Sequence, residues 1–349
     1  MNDSIEELLT DALKLSVRNP RELLFLARFK AAHEKASRKR RESEAEGVHI
    51  PPFLIASIAR DCNLRCAGCY AAVNQACATQ SAQLPAERWD AIFRQAQELG
   101  ISFILLAGGE PLMRPDVIKN ASRNKSIIFP VFTNGTLIDD GWAGLFHKHR
   151  NLIPVLSIEG DREATDNRRG TGVYDRLCFA MDKLHKQKVF YGVSVTVTKN
   201  NIAEVTDRPF VSFLSENGCS IAFYVEYVPA DEKTRDLAPG DGERAYLAEK
   251  LEEIRRLERF LAIAFPGDEK LLGGCLAAGR GFFHINPSGG AEPCPFSPYS
   301  DISLKDCSLL EALQSPLFKK LQSSGILHSE HDGGCVLFEN SAQVEQMLV

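Results

Sequence analysis

From residue 51 onward the chain alternates short apolar runs with longer stretches in which apolar residues recur at helical spacing. The runs cover 53–58, 103–107, 127–132, 153–158, 190–197 and 221–228, and are apolar almost throughout, as strands buried on both faces of a parallel sheet must be. Segments 86–99, 173–185 and 202–216 lie between them and are long enough for right-handed crossover helices. The pattern predicts an α/β fold: a partial (β/α)6 TIM-type barrel of six parallel strands, closed by a helix over 243–260.

The flanks differ in texture. Residues 1–48 read as an N-terminal helical extension, with Asn19 as a cap and Pro20 opening a second helix that carries Leu23, Leu24, Phe25, Ala27 and Phe29. Its end, 30–46, mixes six Lys or Arg with four Glu and reads as a solvated face. Beyond Pro266 the chain turns Gly-, Pro- and Cys-rich with shorter elements. Three domains are expected: the extension 1–48, the barrel 49–266 and a small C-terminal domain 267–349.

Composition narrows the function. With 349 residues, 44% hydrophobic and 25% charged, the chain has the mixture of a folded enzyme, which excludes disorder and fibre. A net charge of -5 provides no whole-chain attraction for nucleic acid, so no nucleic-acid partner is expected. No run approaches the ~18 apolar residues that cross a bilayer, and the acidic start lacks the basic-then-apolar order of a secretory signal. A cytoplasmic protein, not transmembrane, is the expectation. In a reducing compartment ten cysteines, too sparse for a disulfide scaffold, point to metal or cluster ligation.

Cys62, Cys66 and Cys69 form a C-x3-C-x2-C loop just after the first strand, at the end where barrel enzymes keep their chemistry. Three thiolates on one short loop can hold three irons of a 4Fe-4S cluster and leave the fourth open to a small chelating molecule. A structural zinc site wants four closed ligands, commonly in paired C-x-x-C units, and no second pair is present. Further motifs end the next strands: Gly108-Gly109-Glu110-Pro111, Thr133-Asn134-Gly135 and Ser157-Ile158-Glu159-Gly160, then Asp166 to Gly170 with Arg168 and Arg169. Glycines let a main chain approach a ligand, a carboxylate pairs with an ammonium, and a planar guanidinium matches a carboxylate.

In that order these motifs resemble the radical S-adenosylmethionine (radical SAM) superfamily: the cysteine loop with aromatic Tyr70 after it, a GGEP motif, a TNG turn and an SxDG motif with Glu159 in place of the usual Asp. The D-x-x-R-G segment is similar to that of peptide- and protein-modifying branches. The resemblance implies that Cys62, Cys66 and Cys69 hold the 4Fe-4S cluster. It also implies that Tyr70, Gly108, Gly109, Glu110, Pro111, Thr133, Asn134, Ser157, Glu159 and Arg169 surround S-adenosylmethionine, Glu110 at its ammonium and Arg169 at its carboxylate. Reductive cleavage would then produce a 5′-deoxyadenosyl radical for C–H abstraction, fed by a low-potential donor of flavodoxin or ferredoxin type.

Cys275, thirteen residues, Gly289, four residues and Cys294, with Cys307 and Cys335 beyond, resemble the auxiliary-cluster domain called SPASM or its shorter twitch form. The second cysteine run of a full SPASM domain is absent, which implies one auxiliary 4Fe-4S cluster on Cys275, Cys294 and Cys335. Cys307 either completes it or is a helix-start residue without metal; His328 and His331 are further candidates of a kind normally solvated. Cys77, Cys178 and Cys219 read as incidental thiols. On the sixth strand Glu226, an acid in an apolar run, needs a partner: substrate, a proton to accept, or a salt bridge to a neighbouring strand. Three substrate readings stand: a peptide or protein side chain first, a small metabolite or lipid second, and a non-catalytic iron–sulfur carrier or scaffold third. Residues 1–48 are too few and too helical for the usual leader-peptide-binding domain.

Overall fold

Each apolar run becomes a strand, and each periodic stretch a helix packed on the outside of the sheet. The computed structural model describes residues 2–77, 82–229, 232–257, 260–265, 273–328 and 335–348. Helices α1 (Asn2–Leu15) and α2 (Pro20–Ala45) precede the first strand, β1 (Phe53–Ala59). There follow α3 (Tyr70–Cys77), α4 (Ala86–Leu99), β2 (Phe103–Gly108), α5 (Pro115–Ala121), β3 (Phe129–Thr133), α6 (Asp140–Lys148), β4 (Leu152–Ser157), α7 (Arg162–Arg169), α8 (Val173–Lys186) and β5 (Gly192–Val197). The unit continues through α9 (Ile202–Val205), α10 (Arg208–Glu216), β6 (Ile221–Glu226), α11 (Asp241–Leu257) and β7 (Leu261–Phe265). The C-terminal segment adds β8 (His284–Ile285), β9 (Ala291–Glu292), α12 (Leu309–Leu313), α13 (Pro316–Ser323), α14 (Val336–Glu339) and α15 (Ser341–Gln346).

The sheet is open, in the order β7-β6-β5-β4-β3-β2-β1-β8-β9. The six expected strands are all present, and β7 adds a seventh parallel strand beyond β6, with Ile221 opposite Leu261. The C-terminal segment also joins the sheet: β8 runs parallel to β1, Ile55 opposite His284, and turns back antiparallel into β9. Two expected helices are broken by local chemistry. The 202–216 stretch ends at Thr206 and restarts where the Asp207 side chain accepts from the Phe210 N–H, with proline in the first turn. The stretch 309–321, whose sequence also predicts one helix, breaks the same way at Ser315-Pro316, where the Ser315 side chain caps α13.

Alternation along the strands divides them into two faces. Leu54, Ile104, Leu106, Val131 and Leu156 turn to the helices and join Trp89, Phe93 and Leu177 in the main core. Phe53, Phe103, Phe132 and Phe223 turn inward; Phe53 and Phe103 stack at 4.8 Å between centroids, and Phe132 meets Phe223 at 5.2 Å. The N-terminal helices cover this aromatic floor. Phe29 meets Phe103 edge-on at 5.4 Å, and Ile5 and Leu9 pack with Ile128, Ile153 and Val155. Polar contacts lock α2 across the amino ends of the strands: His33 to Ser102 at 2.9 Å, the buried Glu22–Arg150 pair at 3.0 Å, and Arg40 to the Gly100 carbonyl. The basic stretch expected to be solvated therefore buries one of its members, Arg40. Closing that end leaves the carboxyl end of the barrel for chemistry.

Phe29→Ala is expected to lower stability by about 3–5 kcal/mol, because it empties a fully buried ring site between helix and sheet. The urea midpoint checks this, and an unchanged midpoint would show that α2 is not part of the cooperative unit.

Candidate active site

The cysteine loop leaves the end of β1 and runs into α3, and side chains from three directions fasten it. Asn134, in the turn after β3, donates to the Asn63 amide oxygen at 2.9 Å and to the Cys62 sulfur at 3.8 Å. The Leu64 N–H also donates to that sulfur at 3.4 Å, and Asn63 donates to Thr136 at 2.8 Å. From the other side the Ala67 N–H donates to the Arg168 carbonyl at 2.9 Å. Cys62, Cys66 and Cys69 are all half-buried. Burial pushes the Cys62 and Cys66 thiols up from their ordinary range; the neighbouring cysteines push further, while Arg169 and Arg168 pull Cys66 back. Three thiols on one short loop, with N–H donors at the Cys62 sulfur, fit a group that takes thiolates and carries positive metal charge. Among the described residues no three His, Cys, Asp or Glu side chains gather on the single point a lone metal ion requires.

The glycines of Gly108-Gly109-Glu110-Pro111 serve the sheet first. A Cβ on Gly108, at φ +117°, would strike the Ala59 carbonyl, and one on Gly109 would strike the carbonyls of Arg60 and Asp61. That close approach lets the Gly109 N–H donate to Ala59 at 2.7 Å and the Glu110 N–H to Asp61 at 2.8 Å. The Glu110 side chain is held by the neighbouring turns. Fully buried, its carboxylate accepts from the Thr133 hydroxyl at 2.6 Å, the Asn134 N–H at 2.8 Å and the Leu112 N–H at 3.0 Å. The acid binds the β3 turn to the β2 turn because, cut off from water, its carboxylate needs those donors as compensation. Pro111 is buried at the first position of the short 3-10 turn that follows.

Ser157 ends β4 on the inner face, opposite Ser194 of β5. Glu159 is a second hub: its carboxylate accepts from Arg168 Nη1 at 2.5 Å, Arg169 Nε at 2.8 Å, Arg169 Nη2 and the Thr196 N–H at 3.1 Å. Arg169 is thus aimed by Glu159, with Nη1 left without a protein acceptor among the described residues. The same helix brings in Arg168, which the motif comparison passed over and which lies close enough to Cys66 and Cys69 to act on their charge. The doubled arginine was its only sequence signal. Asp166 accepts from the N–H groups of Gly172 and Tyr174, both at 2.8 Å, which ties α7 to the start of α8.

Glu226 lies on the other face of β6 from Phe223. It is buried and receives Arg244 Nε of α11 at 3.1 Å, a salt bridge to a helix. The same face carries Tyr224, whose hydroxyl donates to the Val205 carbonyl at 3.1 Å.

The second cysteine group gathers in part. Cys294 and Cys335 are hydrogen-bonded, and Cys275 is near enough to raise Cys294 further; the Cys335 contact and burial push Cys294 well above its ordinary range. Cys307 lies apart: its carbonyl accepts from Arg88, and its charged neighbours are Glu311, Arg88 and Asp306 with no cysteine among them. His328 is exposed, beside Leu327, whose carbonyl accepts from the Cys275 N–H at 2.9 Å; His331 and the Cys77 side chain lie outside the described residues. Cys219 is buried with its thiol on the Ile221 carbonyl at 3.3 Å, and Cys178 is half-buried.

Helix α3 joins the two groups. The Tyr70 ring meets Phe296 edge-on at 5.3 Å, and Asn74 donates to the Pro295 carbonyl at 2.9 Å. Sequence reasoning also missed a buried chain beneath them, in which Ser57 contacts His284 Nε2 at 2.7 Å, His284 Nδ1 contacts Glu292 at 2.7 Å, and Asn286 donates to Glu292 at 2.6 Å. Ser57 lies 227 residues from His284 in the chain, a distance that spacing does not reveal.

Fold and site together define an α/β barrel-type protein whose three-thiol loop, glycine-rich turn and paired arginines converge at the strand ends. The Radical SAM superfamily profile matches residues 56–208 of the chain. The chain is 26% identical to the AdoMet-dependent heme synthase of Methanosarcina barkeri, over 79% of this chain and 86% of that protein. A 29% match to the Fe-coproporphyrin III synthase of the same organism spans 44% of this chain and 39% of that one. The PqqA peptide cyclase of Gluconobacter oxydans is 24% identical over 70% of both chains. Among solved structures, Streptococcus suis SuiB bound to its precursor peptide SuiA shares the fold with a TM-score of 0.68, at 20% identity, over 92% of this chain and 78% of that one.

Glu159→Ala is expected to cost about 3–5 kcal/mol, because it strands two largely buried guanidinium groups. Urea denaturation of the iron-free chain checks this, and a loss below 1 kcal/mol would mean the arginines find other partners.

Proposed function

We propose that the chain is a radical SAM enzyme that modifies a peptide or protein side chain. Cys62, Cys66 and Cys69 would hold a 4Fe-4S cluster, which with bound S-adenosylmethionine supplies a 5′-deoxyadenosyl radical for hydrogen-atom abstraction. The residues of this chain do the positioning. Glu159 aims Arg169, whose free Nη1 suits the carboxylate of an amino-acid moiety, and Glu110 holds the two turns that line the same strand ends. The aromatic floor under α1 and α2 keeps water from entering at the amino end.

One observation carries the proposal: Tyr70 and Asn74 join the first cysteine group to the Cys294 loop. A second redox centre held against the first suits oxidative side-chain modification, in which a substrate that has lost a hydrogen atom must also give up an electron. The peptide cyclase relative supports that substrate class. A second reading, a small-molecule substrate of tetrapyrrole type, is favoured by the AdoMet-dependent heme synthase, whose alignment runs over most of both chains.

Anaerobic reconstitution tests both. About eight irons per chain are expected for two clusters and about four for one. Cys66→Ala should abolish formation of 5′-deoxyadenosine under dithionite, and Cys294→Ala should leave cleavage of S-adenosylmethionine but remove product. Equal cleavage by wild type and Cys66→Ala would sink the radical reading. Stimulation by a porphyrin and not by peptides would decide for the second substrate class.

A further inference from the structure

We propose that the Tyr227 hydroxyl is a hydrogen-bond donor to the cluster held by Cys62, Cys66 and Cys69, on the side of Gly68, and so helps to set the potential at which that cluster is reduced. The proposal rests on the radical SAM reading above and extends it to a residue outside the motifs.

Tyr227 continues β6 by one position, its N–H donating to the Val197 carbonyl at 2.9 Å, and it shares the inner face with Phe223. It therefore rises from the strand end under the cysteine loop. Only 5% of the residue is exposed, and its hydroxyl has no hydrogen-bond partner among the described residues. The hydroxyls of Tyr191, Tyr224 and Tyr299 all find one, at 2.6, 3.1 and 2.6 Å. A buried hydroxyl left alone is destabilising, and phenylalanine would fill the same space without that cost.

The place where the orphan hydroxyl points is also defined. Gly68, between Cys66 and Cys69, takes φ +64°, and a Cβ there would collide with the Tyr227 oxygen. The loop thus presses onto the hydroxyl at its one residue without a side chain. Arg168, held by Glu159, lies 6.0 Å from the ring centroid and steadies the ring from above. A phenol O–H in this position lacks only an acceptor, and the sulfur atoms of a bound cluster are acceptors of the kind whose hydrogen bonds set cluster potentials. Donation to sulfur favours the more negative, reduced state.

The test compares wild type with Tyr227→Phe after anaerobic reconstitution, following by EPR-monitored titration the signal that changes on addition of S-adenosylmethionine. With iron and sulfide content equal, the variant's midpoint is expected at a more negative potential. Deuterium ENDOR of the reduced cluster in D2O should lose one strongly coupled exchangeable deuteron. An unshifted midpoint with an intact cluster overturns the proposal. Should Tyr227→Phe not take up iron, the wild-type ENDOR spectrum decides, and the absence of any hydroxyl deuteron coupled to the cluster overturns it equally. Wild-type chain that assembles no cluster on Cys62, Cys66 and Cys69 overturns the radical SAM reading itself, a result distinct from an unshifted midpoint.

Discussion

A carboxylate cut off from water, Glu110, holds the ends of three strands together, and the geometry of the site follows from how it is satisfied. Its main-chain N–H reaches back to the end of β1, while its side chain accepts from Thr133 and Asn134 at the end of β3. Asn134 then passes the constraint on through its amide, to Asn63 and to the Cys62 sulfur. Burial raises the cost of leaving any of these groups unpaired, so the turns have little freedom to drift apart. A loop that must bring three thiols together needs such a frame before any metal arrives.

Glu159 plays the corresponding part on the other side. By taking Arg168, Arg169 and the Thr196 N–H, it places two guanidinium groups beside Cys66 and Cys69 while consuming its own charge. The motif acid and the motif arginine are therefore held together as one unit. Positive charge held near Cys66 lowers the cost of forming a thiolate there.

The two cysteine groups are brought together by the sheet itself. Because β8 pairs with β1, the strand that leads into the first cysteine loop lies directly beside the hairpin that leads to Cys294. Helix α3 then reaches across, with Tyr70 on Phe296 and Asn74 on Pro295. At the opposite end α1 and α2 seal the barrel over its phenylalanine floor, so the helical extension is part of the scaffold and not an arm awaiting a partner.

What the amino-acid order alone determined is whatever depends on neighbours along the chain. Period-two and period-3.6 patterns yielded all six expected strands and their crossovers, and local spacing yielded the three-cysteine loop, the glycine turn and the superfamily resemblance. The tertiary structure decided which partner each polar group found. Glu110 and Glu159 turned inward to the protein, Glu226 took Arg244 on the helix side, and Cys307 stood away from the other C-terminal cysteines. Ser57 met His284 and Gly68 met Tyr227 across more than a hundred residues of chain. Hydrogen bonds and buried charges act over a few ångströms in space, and sequence spacing carries no record of which distant strand ends will be folded to within that range.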